Sequence, residues 1–170
     1  MKNFIYVIIF LFFSSNLSFS FDANPDSNDI GTGGRDDLSF LEAKNSNLKK
    51  GKDAIKRAIK YEKKNKIKKA KKYFEKSLKY FVIAYKEYPN NIEILYYLGL
   101  NYNKVEDYIM SEIYYKEGLL VDPNNILINK NLGELYIYTK RLGLANDRLK
   151  VLSLCNCKEY EDLKKIINKN

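Results

Sequence analysis

Residues 88–102 read YPNNIEILYYLGLNY, and residues 122–136 read DPNNILINKNLGELY. Pro89 and Pro123 stand 34 residues apart. The same interval separates Leu98 from Leu132, Gly99 from Gly133 and Tyr102 from Tyr136. A proline, a glycine and an aromatic returning in one order mark an internal repeat. Within the unit, Ile92, Leu95, Leu98, Gly99, Tyr102 and Val105 follow steps of three and four, one face of a helix. Glu106-Asp107 interrupts the pattern. Tyr108, Ser111, Tyr115, Gly118 and Leu119 then trace a second helical face. It stops at Asp122-Pro123, because proline lacks an amide hydrogen and disfavours helix in the residue before it. The asparagines that follow suit a turn and the start of the next helix. Residues 92–125 therefore read as helix, tight turn, helix.

Two helices alone cannot cover their apolar stripes, whereas stacked copies can. Gly99 and Ser111 are expected where the two backbones cross, with Leu98, Tyr102 and Tyr115 filling the space around them. Glycine inside a helix costs about 1 kcal/mol against alanine, so its return at Gly133 points to a packing demand. The next copy spans 126–157. Ala145 takes the place of Ser111, Leu149 that of Tyr115, and Cys157 that of the closing proline. Upstream the match returns at an offset of 41, pairing Ala58 with Gly99, Tyr61 with Tyr102, Ile67 with Tyr108, Ala70 with Ser111 and Phe74 with Tyr115. Pro89 keeps the interval of 34, so seven extra residues, about two turns, are expected in the second helix of a first copy spanning 51–91. Arg57 stands there in place of Leu98, which makes this copy the weaker match.

Leu95, Leu98, Gly99, Tyr102, Ser111, Tyr115, Gly118 and Pro123 together resemble the tetratricopeptide repeat (TPR), a helix–turn–helix unit of 34 residues. The resemblance covers roughly residues 50–157. The expected fold is an all-α solenoid of three such hairpins closed by an amphipathic capping helix over 158–170, carried by Tyr160, Leu163, Ile166 and Ile167. The chain also resembles small exported bacterial TPR proteins that end in a cysteine-containing turn. The resemblance implies an adaptor whose first helices line a concave groove for a protein or peptide. Tyr96, Leu100, Asn103 and Lys104 of the middle copy, with Lys130, Glu134, Ile137 and Tyr138 of the last, would face that groove. The paired asparagines that some members use with a lysine to hold a C-terminal carboxylate are not in register with Lys130.

The flanks differ in character. Residues 1–20 carry one charge, Lys2, then an apolar run from Phe4 to Phe13, then Ser18-Phe19-Ser20. This is the pattern of a signal peptide cleaved near Ser20, and the run is short for a membrane span. Export to the periplasm or beyond is the expectation; an uncleaved anchor is the alternative. Residues 21–47 form an acidic, Asn-, Ser- and Gly-rich lead-in, expected to be flexible, before a helical domain over 48–170.

Charge is unevenly spread. The chain carries a formal net +9, and residues 44–79 alone hold 15 Lys and one Arg against three acids. Periodic alanine, isoleucine and aromatic residues make that block an amphipathic hairpin. Lys63, Lys64, Lys68 and Lys69 form its candidate basic patch, suited to anionic lipid, an anionic envelope polymer or an acidic partner, or a plain solvated face. Nucleic acid fits the electrostatics but not an exported protein. Histidine is absent, which removes the commonest general base and a principal zinc ligand. Gly31-Thr32-Gly33-Gly34 lacks the strand, helix and lysine of a phosphate loop. No catalytic residues, metal site or cofactor are expected. Cys155 and Cys157 are the only cysteines. A disulfide clamp, two free thiols, a metal site shared between chains and an intermolecular bridge are all open to them.

Overall fold

The computed structural model describes residues 36–169, with side chains from residue 46. The expected signal peptide over 1–20 and the first part of the lead-in lie outside the described residues. Among the described residues there are seven helices and no strands: α1 (Asp36–Glu62), α2 (Ile67–Glu87), α3 (Ile92–Lys104), α4 (Tyr108–Val121), α5 (Ile126–Tyr138), α6 (Leu142–Leu152) and α7 (Lys158–Ile167). They pair as three antiparallel hairpins, α1 with α2, α3 with α4 and α5 with α6, and α7 closes the last.

The middle hairpin shows why the repeat holds its residues. A Cβ at Gly99 would run into the ring of Tyr115, which is fully buried. With that space clear, the buried Ser111 hydroxyl donates to the Gly99 carbonyl at 2.8 Å. A short side chain thus ties one helix backbone to the next while the aromatic fills the gap beside it. Gly118 serves the following junction. A Cβ there would lie 2.5 Å from Ile128 Cδ1, so the glycine admits the next repeat. Burying side chains such as Leu98 and Ile128 contributes about 1.5–3 kcal/mol each.

The first hairpin contains this arrangement twice. Ala58, Ala70 and Phe74 are buried at the offset of 41, as the sequence predicts. Seven residues farther from the turn on each helix, Gly51, Ser77 and Phe81 repeat it: Ser77 Oγ donates to the Gly51 carbonyl at 2.9 Å, and Phe81 lies where a Gly51 Cβ would go. The insertion is visible as length, since α2 has 21 residues and α4 has 14. Two whole turns preserve the buried seam, because seven residues return a side chain to nearly the same face.

Asparagine and aspartate set the helix starts. Asn91 Oδ1 accepts from the Glu93 and Ile94 amides, Asp107 from Met110 and Asn125 from Ile128, at 3.0–3.1 Å. Inside each hairpin the turn places one residue at positive φ, Asn65 at 54°, Glu106 at 72° and Lys140 at 59°. The residue after it donates its amide to the carbonyl of Tyr61, Tyr102 or Tyr136, at 2.7–2.9 Å.

Two expectations are corrected. Composition predicts a flexible lead-in over 21–47, yet α1 begins at Asp36. No proline or glycine interrupts 36–50, and Asp36 and Asp37 suit the positive end of a helix dipole. In the last hairpin the repeat interval predicts Leu149 in the role of Tyr115. It is only half-buried, and the atoms nearest the Gly133 Cβ position belong to fully buried Leu163 of α7, at 2.6 Å. The capping helix supplies the packing that the degenerate repeat lacks.

Adjacent hairpins are joined by aromatics and ion pairs. Phe81 stacks on Tyr97 at 4.9 Å, and Tyr85 meets Tyr114 edge-on at 5.4 Å. The Tyr85 hydroxyl donates to Glu117 at 2.6 Å, and that bond, helped by burial, pushes its pKa up to about 12. Glu112 accepts from Arg141 at 2.7 Å and Lys116 at 2.9 Å. Burial acts to raise the Glu112 carboxyl, but the two cations outweigh it and hold the group below its ordinary value of 4.5.

Gly99→Ala is expected to destabilise the chain by about 1–3 kcal/mol, the cost of overpacking a filled core, in urea denaturation followed by circular dichroism. A loss no larger than that of an exposed substitution contradicts the crossing. A carboxyl held low in the folded state stabilises above pH 4.5, and that contribution is lost as pH falls through the lowered value. Glu112→Gln is therefore expected to flatten the acid limb of stability against pH, and an unchanged slope would show that this cluster does not couple the last two hairpins.

Candidate functional site

The first helices of the hairpins form one layer and the second helices another. Side chains bridge the first layer from end to end. Lys52 of α1 reaches Glu93 of α3 at 2.7 Å, and Lys104 of α3 reaches Glu62 of α1 at 2.8 Å. Farther along, Tyr96 of α3 lies near Asn131 and Glu134 of α5. The candidate groove is the face these residues share.

Its centre is the group Tyr96, Lys130, Asn131 and Glu134. Tyr96 is half-buried, with its ring 5.1 Å from that of Tyr97. Burial, followed by the neighbouring Tyr97, raises its phenol pKa, so the hydroxyl stays protonated and able to donate. Lys130 and Glu134 pair one helical turn apart at 2.9 Å, with their side chains 23% and 30% exposed. That leaves both ends within reach of an incoming group, and the arrangement offers a cation, a carboxylate and a phenol around a half-buried ring.

The other expected residues separate from this centre. Leu100 packs partly buried against the core of the first hairpin. Asn103 is half-buried, and its backbone carbonyl accepts from the Glu106 amide at 3.0 Å in the hairpin turn. Lys104 is taken up by Glu62 and lies 5.6 Å from the Phe74 ring. Ile137 is half-buried against the second core cluster. Tyr138, 68% exposed, sits against Tyr108 at the start of α4, ring to ring at 4.8 Å. Hydrogen bonding to Tyr138 is the first cause of the raised Tyr108 pKa. These two rings mark the rim at the hairpin turns, away from Tyr96.

Sequence reasoning passed over Lys52, Glu62, Glu93, Tyr97 and Asn131. A signal for one pair was present: Lys52 and Glu93 are 41 residues apart, the same repeat position with opposite charges. Lys63 and Lys64 occupy the α1–α2 turn, and Lys68 and Lys69 the first turn of α2; all four are exposed, and Lys69 lies 5.9 Å from the Tyr61 ring. Cys155 and Cys157 are joined by a disulfide between α6 and α7, with Cα atoms 5.2 Å apart. Among the described residues no group of three or more Cys, Asp or Glu is placed to hold a metal ion, and no helix is long and apolar enough to cross a membrane.

No family model matches the chain, and no curated protein matches it in sequence. Solved structures match it in shape. A tetratricopeptide repeat protein from Parabacteroides merdae superposes with a TM-score of 0.53 at 14% identity, covering 71% of this chain and 60% of that one. The second TPR domain of human RPAP3, in complex with the HSP70 peptide SGPTIEEVD, gives 0.56 at 16% identity, covering 75% of this chain and 99% of that one. The Yersinia enterocolitica type III secretion chaperone SycD, in complex with a peptide of the translocator YopD, gives 0.52 at 16% identity, covering 69% and 86%. The shared feature is the fold, and the fold is that of tetratricopeptide-repeat proteins.

The Lys104–Glu62 pair tests how readily this face is opened to a ligand. With side chains 37% and 35% exposed, a double-mutant cycle is expected to give a coupling of about 0.2–1 kcal/mol. A coupling of several kcal/mol would mark the pair as a structural lock.

Proposed function

We propose that this protein is an exported, non-catalytic adaptor that holds a peptide or protein segment on the face lined by α3 and α5. The observation that carries the reading is the cluster of Tyr96, Lys130 and Glu134, brought together from two repeats and left partly exposed. Two of the matching structures, the RPAP3 domain and SycD, hold peptides. Export is supported by the charge and apolar pattern of residues 1–20.

The groove chemistry narrows the ligand. Each cation named on this face is already matched by a carboxylate: Lys52 by Glu93, Lys104 by Glu62, Lys130 by Glu134. An incoming segment must exchange these pairs rather than neutralise a bare charge. Partly exposed pairs are worth little, so exchange costs little. The half-buried Tyr96 ring then supplies the kind of aromatic contact from which most binding energy in such interfaces comes. The segment best suited carries both signs of charge around an apolar or aromatic anchor.

Affinity capture from the protein's own cell envelope, with wild-type protein and a Tyr96→Ala/Lys130→Ala variant as baits, tests this. The species retained by wild type is expected to be lost with the variant, whose helical circular dichroism should be unchanged. Equal capture by both baits would remove the groove from the account.

A further inference from the structure

Among the described residues the stack is capped by α7 at one end and has no such cap at the other. At its C-terminal end α7 lays Leu163 over Gly133. At the opposite end α2 uses one face for α1, through Ala70, Phe74, Ser77, Phe81 and Ala84. It uses a second for the next hairpin, through Lys71 to Glu106 and Tyr85 to Glu117. A third face remains, and among the described residues no element packs against it.

That face is a recess. Tyr61 and Tyr73 stack at 5.3 Å, nearly parallel at 16°, and with half-buried Tyr80 and Ile83, 44% exposed, they line a cleft of about 730 Å³. Lys69, Lys72, Lys76 and Lys79 stand around it, spaced by three and four along α2. A smaller recess of about 160 Å³ shares Tyr73, Lys76 and Tyr80 and brings in Lys50 and Arg57 from α1. Against these six cations the two recesses hold two acids, Glu75 and Asp53, and Asp53 is engaged by Lys56 at 3.6 Å. Among the described residues none of the six makes an ion pair, in contrast to the matched cations of the groove. An uncompensated cationic rim around an aromatic recess asks for two things at once: carboxylates for the rim and flat or branched apolar groups for the floor.

We propose that this cleft is a second docking surface, which takes an acidic segment of a partner protein carrying aromatic or aliphatic side chains. Charge decides against a second copy of the chain, because a symmetric contact would set the same lysines against each other. Shape decides against a bilayer, since half-buried rings in a recess do not meet a flat surface. An anionic polymer without apolar groups would satisfy the lysines and leave the tyrosines uncovered. The proposal is independent of the groove reading. If both hold, the protein joins two partners, one on the inner face and one at its end.

The test uses the full chain and a fluorescent synthetic peptide of Glu-Glu-Phe repeats, followed by anisotropy. Saturable binding is expected. Lys72→Glu/Lys76→Glu/Lys79→Glu should weaken it about tenfold or more, as the sum of several exposed charge contacts. Tyr80→Ala should weaken it too, and Tyr96→Ala/Lys130→Ala should leave it unchanged. The lysines are exposed, so circular dichroism should show the reversed variant intact. The proposal is overturned by no saturable binding; by equal binding of polyglutamate with no effect of Tyr80→Ala; by lysine-dependent binding to phosphatidylglycerol vesicles in place of the peptide; or by self-association through this face in light scattering. Loss of peptide binding in the Tyr96→Ala/Lys130→Ala variant would assign the peptide to the groove instead.

Discussion

Two helix backbones approach closely at Gly99, and the rest of the stack is arranged around that approach. The Ser111 hydroxyl bonds to the Gly99 carbonyl, and Tyr115 occupies the volume a side chain at 99 would need. Three residues thereby define the separation, the register and the filling of one hairpin. The same solution recurs in the first hairpin, with Ser77 on Gly51 and Phe81 as the filler. Where the aromatic is missing, at Gly133, a leucine from the capping helix takes its place. The cap is thus part of the last hairpin's core rather than a lid added over it.

Much of this was legible because close packing leaves a periodic trace. The intervals of 34 and 41 located the hairpins, and the seven added residues of α2 followed from comparing them. Asparagine at the helix starts was legible for a local reason, since its side chain satisfies amides within its own turn. The turns inside the hairpins were not. Asn65, Glu106 and Lys140 adopt positive φ without being glycine, held by the bond from the next amide to the tyrosine carbonyl; asparagine tolerates that region, but glutamate and lysine do not announce it. The exchange of Leu149 for Leu163 was hidden because it depends on where α7 lands, a tertiary outcome that periodicity within one helix does not encode.

The site divides in the same way. Tyr96, Lys130 and Glu134 were placed together by repeat position, and the structure brings them together. Lys104 and Tyr138 carried the same expectation, yet Glu62 claims one and Tyr108 the other. These partners come from different repeats or different helix layers, so facing alone could not reveal them. The basic block shows the converse. Its charge was plain in the sequence, but only the folded α2 separates cations paired with neighbouring repeats, such as Lys71, from those around the tyrosine recess.

The extended first hairpin also bears on growth of the assembly. Its second helix exceeds that of the middle repeat by seven residues, 21 against 14, a rise of about 10 Å. An ordinary hairpin laid against it would cover one stretch of the seam and leave another bare. Head-to-tail addition of further chains, the route by which open-ended arrays become filaments, therefore meets a step at this hairpin and, on the last one, the surface that α7 already occupies.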